Sequence, residues 1–414
     1  MARFHFRCSE CGLELTERPG LYVCPSCSEK QVPGGVTRGV LEVVIEDLPT
    51  AWPEDPPGTP GFLTAFLPID DPRYLPPLPV GATPLLAAPR LRQALGMNRL
   101  WLKDDTRNPS GSTKDRASQL VIAKALEYGA DTVAAASTGN AATALAAVAA
   151  AAGLRAVVFV PAEAPPAKLI QMLSYGAEVL PVAGSYDEAF ELSLTACDRF
   201  GWTNRNTAFN PFTIEGKKTA ALEIAAAMAP ETPDAVIVTA GDGVITAGLA
   251  KGFADLEEAG LIARRPRLIV VQPAGTAAIA TALRSGSEAI VPVPGATSVA
   301  DSLTVSSPRN ALLCLREVRA SDGAGVIVSD QAILASIPRL ASLTGVFAEP
   351  AAAAALAGLD IALDEGLVDR NESAVLMITG SGLKDVAAAK RAIEMPAPIA
   401  PTMEAVLARL ATRS

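Results

Sequence analysis

An α/β architecture of parallel sheets covered by helices is what this sequence predicts, and three observations predict it. From about residue 98 onward, short apolar runs of strand length alternate with longer alanine-rich stretches of helical length, the pattern of repeated βαβ units. Half of the 414 residues are hydrophobic but only 5% are aromatic, which suits helices packed closely on a sheet better than an all-β sandwich. Glycine- and hydroxyl-rich motifs fall directly after the strand-like runs, where folds of this class hold their ligands.

Taken in order, residues 1–35 contain Cys8, Cys11, Cys24 and Cys27, spaced C-x2-C-x12-C-x2-C. That is the spacing of two thiolate hairpins closing a tetrahedral zinc site; a pair of disulfides is the alternative, which a reducing cytoplasm opposes. Four thiolates leave the metal no open position, so its role would be structural. The other two cysteines, Cys197 and Cys314, lie in apolar helical surroundings and read as buried thiols. Residues 36–84, with proline clusters at 53–60 and 76–79, read as an arm draped over a core. Strands are expected at 99–103, 132–136, 156–160, 178–182, 235–239, 267–272 and 374–378, with helices at 114–128 and from about 140. Residues 395–401 read as a linker to a short C-terminal helix.

Composition excludes several function classes. A net charge of −9 with no strongly basic block argues against a nucleic-acid partner. The longest apolar runs are too short and too alanine-rich to cross a bilayer, and the first residues lack a secretory apolar core, so a cytoplasmic protein is expected. Histidine occurs once, at His5, which rules out Ser-His-Asp and Cys-His mechanisms and multi-imidazole zinc catalysis. Acid–base chemistry must then come from Lys, Asp, Glu, Ser or a cofactor.

Four motifs supply candidates. Asn108-Pro-Ser-Gly-Ser-Thr-Lys114-Asp-Arg116 ends a turn with a lysine at a helix start, a position that depresses amine basicity. Ser137-Thr138-Gly139-Asn140 follows a strand and offers hydroxyls and backbone N–H groups to a carboxylate. Gly241-Asp242-Gly243 lets backbone amides approach a phosphate. Thr379-Gly380-Ser381-Gly382-Leu383-Lys384-Asp385 lies at a strand end, where Thr379 or Ser381 could donate a hydrogen bond to a ring nitrogen.

Together with Glu215-Gly-Lys-Lys-Thr219, and in this order, these motifs resemble the threonine synthase branch of the fold-type-II, tryptophan synthase β-like enzymes that use pyridoxal 5′-phosphate (PLP). The resemblance runs from about residue 80 to 395, and the cysteine module is also similar to that of many threonine synthases. It implies a large PLP domain (85–115 and 220–395), a small one (116–219), the zinc ribbon (1–35), the arm (36–84) and a C-terminal tail (396–414). It further implies that Lys114 binds the cofactor covalently and shuttles protons. Asn140 would face the cofactor's 3′-oxygen, Ser137, Thr138, Gly139 and Asn140 the substrate carboxylate, and Gly241, Asp242 (through its backbone) and Gly243 the cofactor phosphate. Thr379 would face the pyridine nitrogen, where a neutral hydroxyl favours elimination and replacement over transamination. A homodimer acting on a small amino acid is the family expectation.

The likeness breaks around the leaving group. Ala141 stands where the family has threonine, Thr213 where it has arginine, Lys217 where it has glutamine and Ser381 where it has histidine. Losing a bidentate arginine weakens binding of a dianion unless another cation replaces it, and Lys217, Lys218 and Arg309 are the candidates. Two functions are therefore implied: threonine synthase, converting O-phosphohomoserine and water to threonine and phosphate, or a related enzyme with another leaving group. The second class covers a β-eliminating ammonia-lyase or dehydratase and a β-replacing synthase such as cysteate synthase.

Overall fold

The computed structural model describes residues 4–32, 34–164 and 166–411. Residues 1–3 of the cysteine module and 412–414 of the tail lie outside the described residues.

Two parallel sheets carry the architecture. The larger has six strands in the order Ala324–Val328, Arg267–Pro273, Ala235–Thr239, Ser373–Ile378, Arg99–Asp104 and Leu85–Ala87. Its neighbours are parallel except for the last pair. Successive residues along these strands point to opposite faces, so one face buries Val236, Val238, Leu268, Val270, Val375 and Met377. The other face buries Ile237, Ile269, Val271, Leu376 and Ile378. Helices Lys114–Glu127, Phe212–Met228 and Val244–Glu258 cover the first face, and the alanine-rich helix Pro350–Asp364 covers the second. With both faces covered, the strands read as continuous apolar runs.

The smaller sheet runs Glu178–Val182, Arg155–Pro161, Thr132–Ala136, Thr203–Asn204, all parallel. Ala134, Ala136, Val157 and Phe159 pack on one side against Ala189, Phe190, Ala196 and Cys197 of helix Tyr186–Phe200. Ser185 and Glu188 start that helix with a reciprocal capping box. Both isolated thiols, Cys197 and Cys314, are buried and unbridged.

Some strands were not among those expected, and two of them are of full length. Leu41–Ile45 falls within the segment read as the arm, yet it pairs antiparallel with Phe4–Cys8, which also pairs with Glu14–Leu15. Its burial alternates residue by residue, and the proline clusters begin only beyond it, so nothing breaks the ladder there. Ala324–Val328 begins Ala-Gly and is a short edge strand, too weak a signal to stand out from its flanking helices. The expected C-terminal helix is Met403–Ala411.

One buried ion network fixes where Lys114 stands. Arg116, two residues on, is fully buried; it donates to the Asp105 carboxylate at 2.8 Å and to Glu223 at 2.6 Å, and Lys103 also pairs with Glu223. Asp105 is held down to about 2, the effect of burial being outweighed by Arg116 and Lys103. The network ties strand Arg99–Asp104 and helix Phe212–Met228 to the first turn of helix Lys114–Glu127. A guanidinium at this depth is tolerable only with such full pairing.

Candidate active site

Three loops are laced together around Lys114. The Thr113 N–H donates to the Thr379 carbonyl at 2.8 Å, Ser381 N–H to Gly111 O at 2.9 Å, and Glu349 N–H to Gly380 O at 3.0 Å. Asp115 accepts from both the backbone N–H and the hydroxyl of Ser110, which locks the Pro-Ser-Gly turn. Gly380 has a steric reason: a Cβ there would collide with the Glu349 carboxylate. Lys114 is thereby held as the first residue of its helix, facing a cavity of about 500 Å³ between the two sheets.

Ser137, Thr138, Gly139 and Asn140 line the same cavity. They follow strand Thr132–Ala136, and helix Asn140–Ala152 begins without a side-chain cap. Its first N–H groups are therefore free for a ligand. On the opposite wall Gly241, Asp242 and Gly243 lead from strand Ala235–Thr239 into helix Val244–Glu258, again uncapped. Gly243 takes φ +88° and its missing side chain makes room for Cys314, so a larger residue would be strained twice. The Asp242 carboxylate turns to accept from the Arg309 N–H at 3.0 Å. Thr379 completes the lining.

Charge is concentrated here. Burial lowers the Lys114 amine to about 8, with Glu349 and Asp242 favouring its charged form and Arg205 opposing it. Lys217 is pushed well below its usual range by burial and by Arg205 and Lys114. Burial raises Asp242 and Glu349, with Lys114 pulling each back down. Thr239 and Ser307 line the cavity with buried hydroxyl oxygens that have no partner among the described residues. The cavity is furnished for an anionic ligand.

The candidate leaving-group cations separate. Lys217 and Arg309 line the cavity, whereas Lys218 does not: it is buried against Glu215 at 2.6 Å and Asp255 at 2.7 Å. Adjacent residues on a helix point about 100° apart, which here turns Lys218 toward Glu215 and Asp255 while Lys217 faces the cavity. Arg309 is also engaged, pairing with Asp187 at 2.6 Å and stacking 3.9 Å above the Phe190 ring.

Sequence reasoning missed Glu349 and Arg205. Glu349 accepts from the Asn140 amide through both oxygens, at 2.9 and 3.1 Å. Arg205 is fully buried in the cavity wall. Glu349 precedes a proline and a long alanine run, a helix start whose acidic residue reads as an ordinary cap. Arg205 sits beside a two-residue strand with no motif to mark it.

Away from this cavity, the Sγ atoms of Cys8, Cys11, Cys24 and Cys27 lie within 4.8 Å of one another. Cys8–Cys27 and Cys11–Cys24 are each separated by 3.8 Å.

The model of the family described as pyridoxal-phosphate dependent enzyme matches residues 77–380. The chain belongs to that family. Among its relatives is the threonine synthase of Methanosarcina acetivorans, 32% identical over 97% of this chain and 98% of that protein. The threonine synthase of Methanocaldococcus jannaschii is 35% identical over 81% and 82%. Among solved structures, the threonine deaminase of T.th. superposes with a TM-score of 0.61 at 27% identity, over 72% of this chain and 92% of that one. Diaminopropionate ammonia lyase of Escherichia coli gives a TM-score of 0.63 at 19% identity, over 75% and 87%, a likeness of fold alone. The chain is thus a threonine synthase-like, PLP-dependent enzyme of fold type II.

Proposed function

We propose that this enzyme is a threonine synthase, releasing phosphate from O-phosphohomoserine and adding water to give L-threonine. The observation that carries the reading is a relative of that activity aligned over nearly the whole of both chains, together with Lys114 facing a cavity whose two uncapped helix starts suit two anionic groups.

PLP fits the residues present: a buried amine without an acidic ion-pair partner among the described residues, two uncapped helix starts and unpartnered buried hydroxyls. When bound, the cofactor supplies an electron sink for charge developing on the substrate. Lys114 holds it and carries protons to and from the substrate carbons. The backbone of Gly241, Asp242 and Gly243 takes its phosphate, Asn140 meets its 3′-oxygen, and Thr379 offers a neutral hydroxyl to its ring nitrogen. Ser137, Thr138, Gly139 and Asn140 orient the substrate carboxylate, while Lys217 and Arg309, which both line the cavity, are the two candidate cations for the leaving group. The large domain (85–115 and 220–395) and small domain (116–219) close around this cavity, and the chain works in the cytoplasm as a homodimer.

Cys8, Cys11, Cys24 and Cys27 fit a structural zinc ion. Thiolates ~2.3 Å from a tetrahedral centre stand about 3.8 Å apart, the separation found for two of the pairs.

Phosphate release from O-phosphohomoserine by PLP-loaded protein, with threonine identified by mass spectrometry, tests the assignment. Lys114→Ala is expected to abolish turnover and the yellow colour together. Release of a 2-oxoacid from serine, threonine or diaminopropionate, with no phosphate from O-phosphohomoserine, would move the enzyme to an ammonia-lyase.

A further inference from the structure

Two buried basic side chains in the cavity wall have no acid beside them among the described residues. Among the described residues, neither Arg205 nor Lys217 has a carboxylate within ion-pair distance, and both are at most 1% exposed. The acid that favours a charged Lys217, Asp242, is turned toward the Arg309 backbone; on Arg205, Asp115, fixed to Ser110, and Tyr186 act in the same sense. Burial with no acid beside it drives the Lys217 amine toward its neutral form, so an anion bound between it and the Arg205 guanidinium would restore the ammonium and complete the hydrogen bonding of both groups.

Their hydrogen bonds show where that ligand fits. Arg205 spends three of its five N–H donors, on the Ser118 hydroxyl at 3.1 Å, the Thr207 hydroxyl at 2.7 Å and the Lys114 carbonyl at 3.3 Å. Lys217 spends one of three, on the Thr213 carbonyl at 3.2 Å. Among the described residues, two Arg205 N–H groups and two of the three that a charged Lys217 offers remain unspent. Residues four apart share a helix face, and a long side chain lies over the turn before its own Cα. Lys217 therefore lies over the turn of Thr213, whose carbonyl it reaches. Helix Val244–Glu258 fixes the lysine stem, Gly248 leaving room for its Cβ.

We propose that Arg205 and Lys217 together form the oxyanion subsite for the substrate's leaving group, and that Arg309 does not. The inference rests on the threonine synthase reading for the identity of that oxyanion, a phosphate. The cofactor's own phosphate is the other source of the same chemistry, and it has the glycine loop and the uncapped helix start at Val244.

Calorimetric titration of the PLP-loaded enzyme with inorganic phosphate tests the subsite, since the cofactor's phosphate position is then filled. Lys217→Gln and Arg205→Gln are each expected to weaken phosphate binding roughly tenfold or more, the worth of a charged hydrogen bond. Lys217→Arg should retain it and PLP content should stay at the wild-type level in all three. Unchanged phosphate affinity in Lys217→Gln overturns the proposal. So does loss of bound PLP in a folded Lys217→Gln enzyme, which would give the amine to the cofactor's phosphate instead. If phosphate binding depends on the pair but O-phosphohomoserine is not turned over, the subsite stands and the threonine synthase reading falls.

Discussion

The Lys114 amine, proposed above to hold the cofactor, is tuned by where it stands. Burial brings its amine to about 8, and the Glu349 carboxylate keeps it from falling further. Only the neutral amine attacks an aldehyde, and its fraction grows as pH rises through about 8. Capture of PLP by the cofactor-free enzyme is therefore expected to accelerate between about pH 7 and 9 and level off above. Glu349→Gln removes a charge that favours the ammonium form, so the amine's pKa falls and the levelling point moves down by roughly one unit. Stopped-flow absorbance of the binding step reads this directly; an unmoved midpoint would take Glu349 out of the tuning. The same substitution removes a carboxylate that holds the Asn140 amide, so tuning and orientation share one residue.

At the scale of elements, the cysteine module is built into the enzyme rather than hung from it. Phe4 and Phe6 lie 6.1 and 5.7 Å from the Phe212 ring at the start of the helix that carries Lys217. The Tyr22 hydroxyl accepts from the Asn204 N–H at 3.0 Å, next to Arg205. The Thr37 N–H donates to the Arg309 carbonyl at 2.7 Å. A structural metal here would stabilise the cavity wall as well as the module. Purified enzyme is expected to hold about one zinc per chain. Cys24→Ser or chelation should lower the melting temperature by several degrees, with PLP binding weakened in parallel. Full retention of thermal stability after metal removal would separate module from site.

Across the whole molecule the cavity lies between two sheets, and Arg309 in its lining links the two sides. Its backbone belongs to the segment packed on Asp242, while its guanidinium reaches Asp187 on the helix of the smaller sheet. Asp187 is exposed, so the pair contributes only about 0.2–1 kcal/mol. Asp187→Asn is expected to raise KM by up to roughly fivefold with kcat little changed. It should also remove part of the rise of KM with salt that the native pair shows on screening. An equal loss in kcat would mean that the contact acts on the chemistry and not on closure.

By itself the sequence determined the alternating α/β plan, the loops that bear Lys114, Ser137–Asn140, Gly241–Gly243 and Thr379, and the four-cysteine cluster. Each is encoded locally: strand and helix periods within a dozen residues, glycines where backbone must approach, thiols at ligand spacing. Only the tertiary structure decided which charges meet. Lys217 and Lys218 are neighbours in the chain, yet one faces the cavity and the other a salt-bridge cluster on the far side, a matter of helix rotation and packing. Arg309 was a candidate on charge alone until Asp187, 122 residues earlier, was brought beside it. Glu349 and Arg205 carried no signal, because a buried charge acquires its meaning from distant parts of the chain. Strand Leu41–Ile45 likewise belongs to the cysteine module only through its pairing with Phe4–Cys8. Covalent neighbours fix the loops, whereas electrostatics between loops depends on distances that only folding creates.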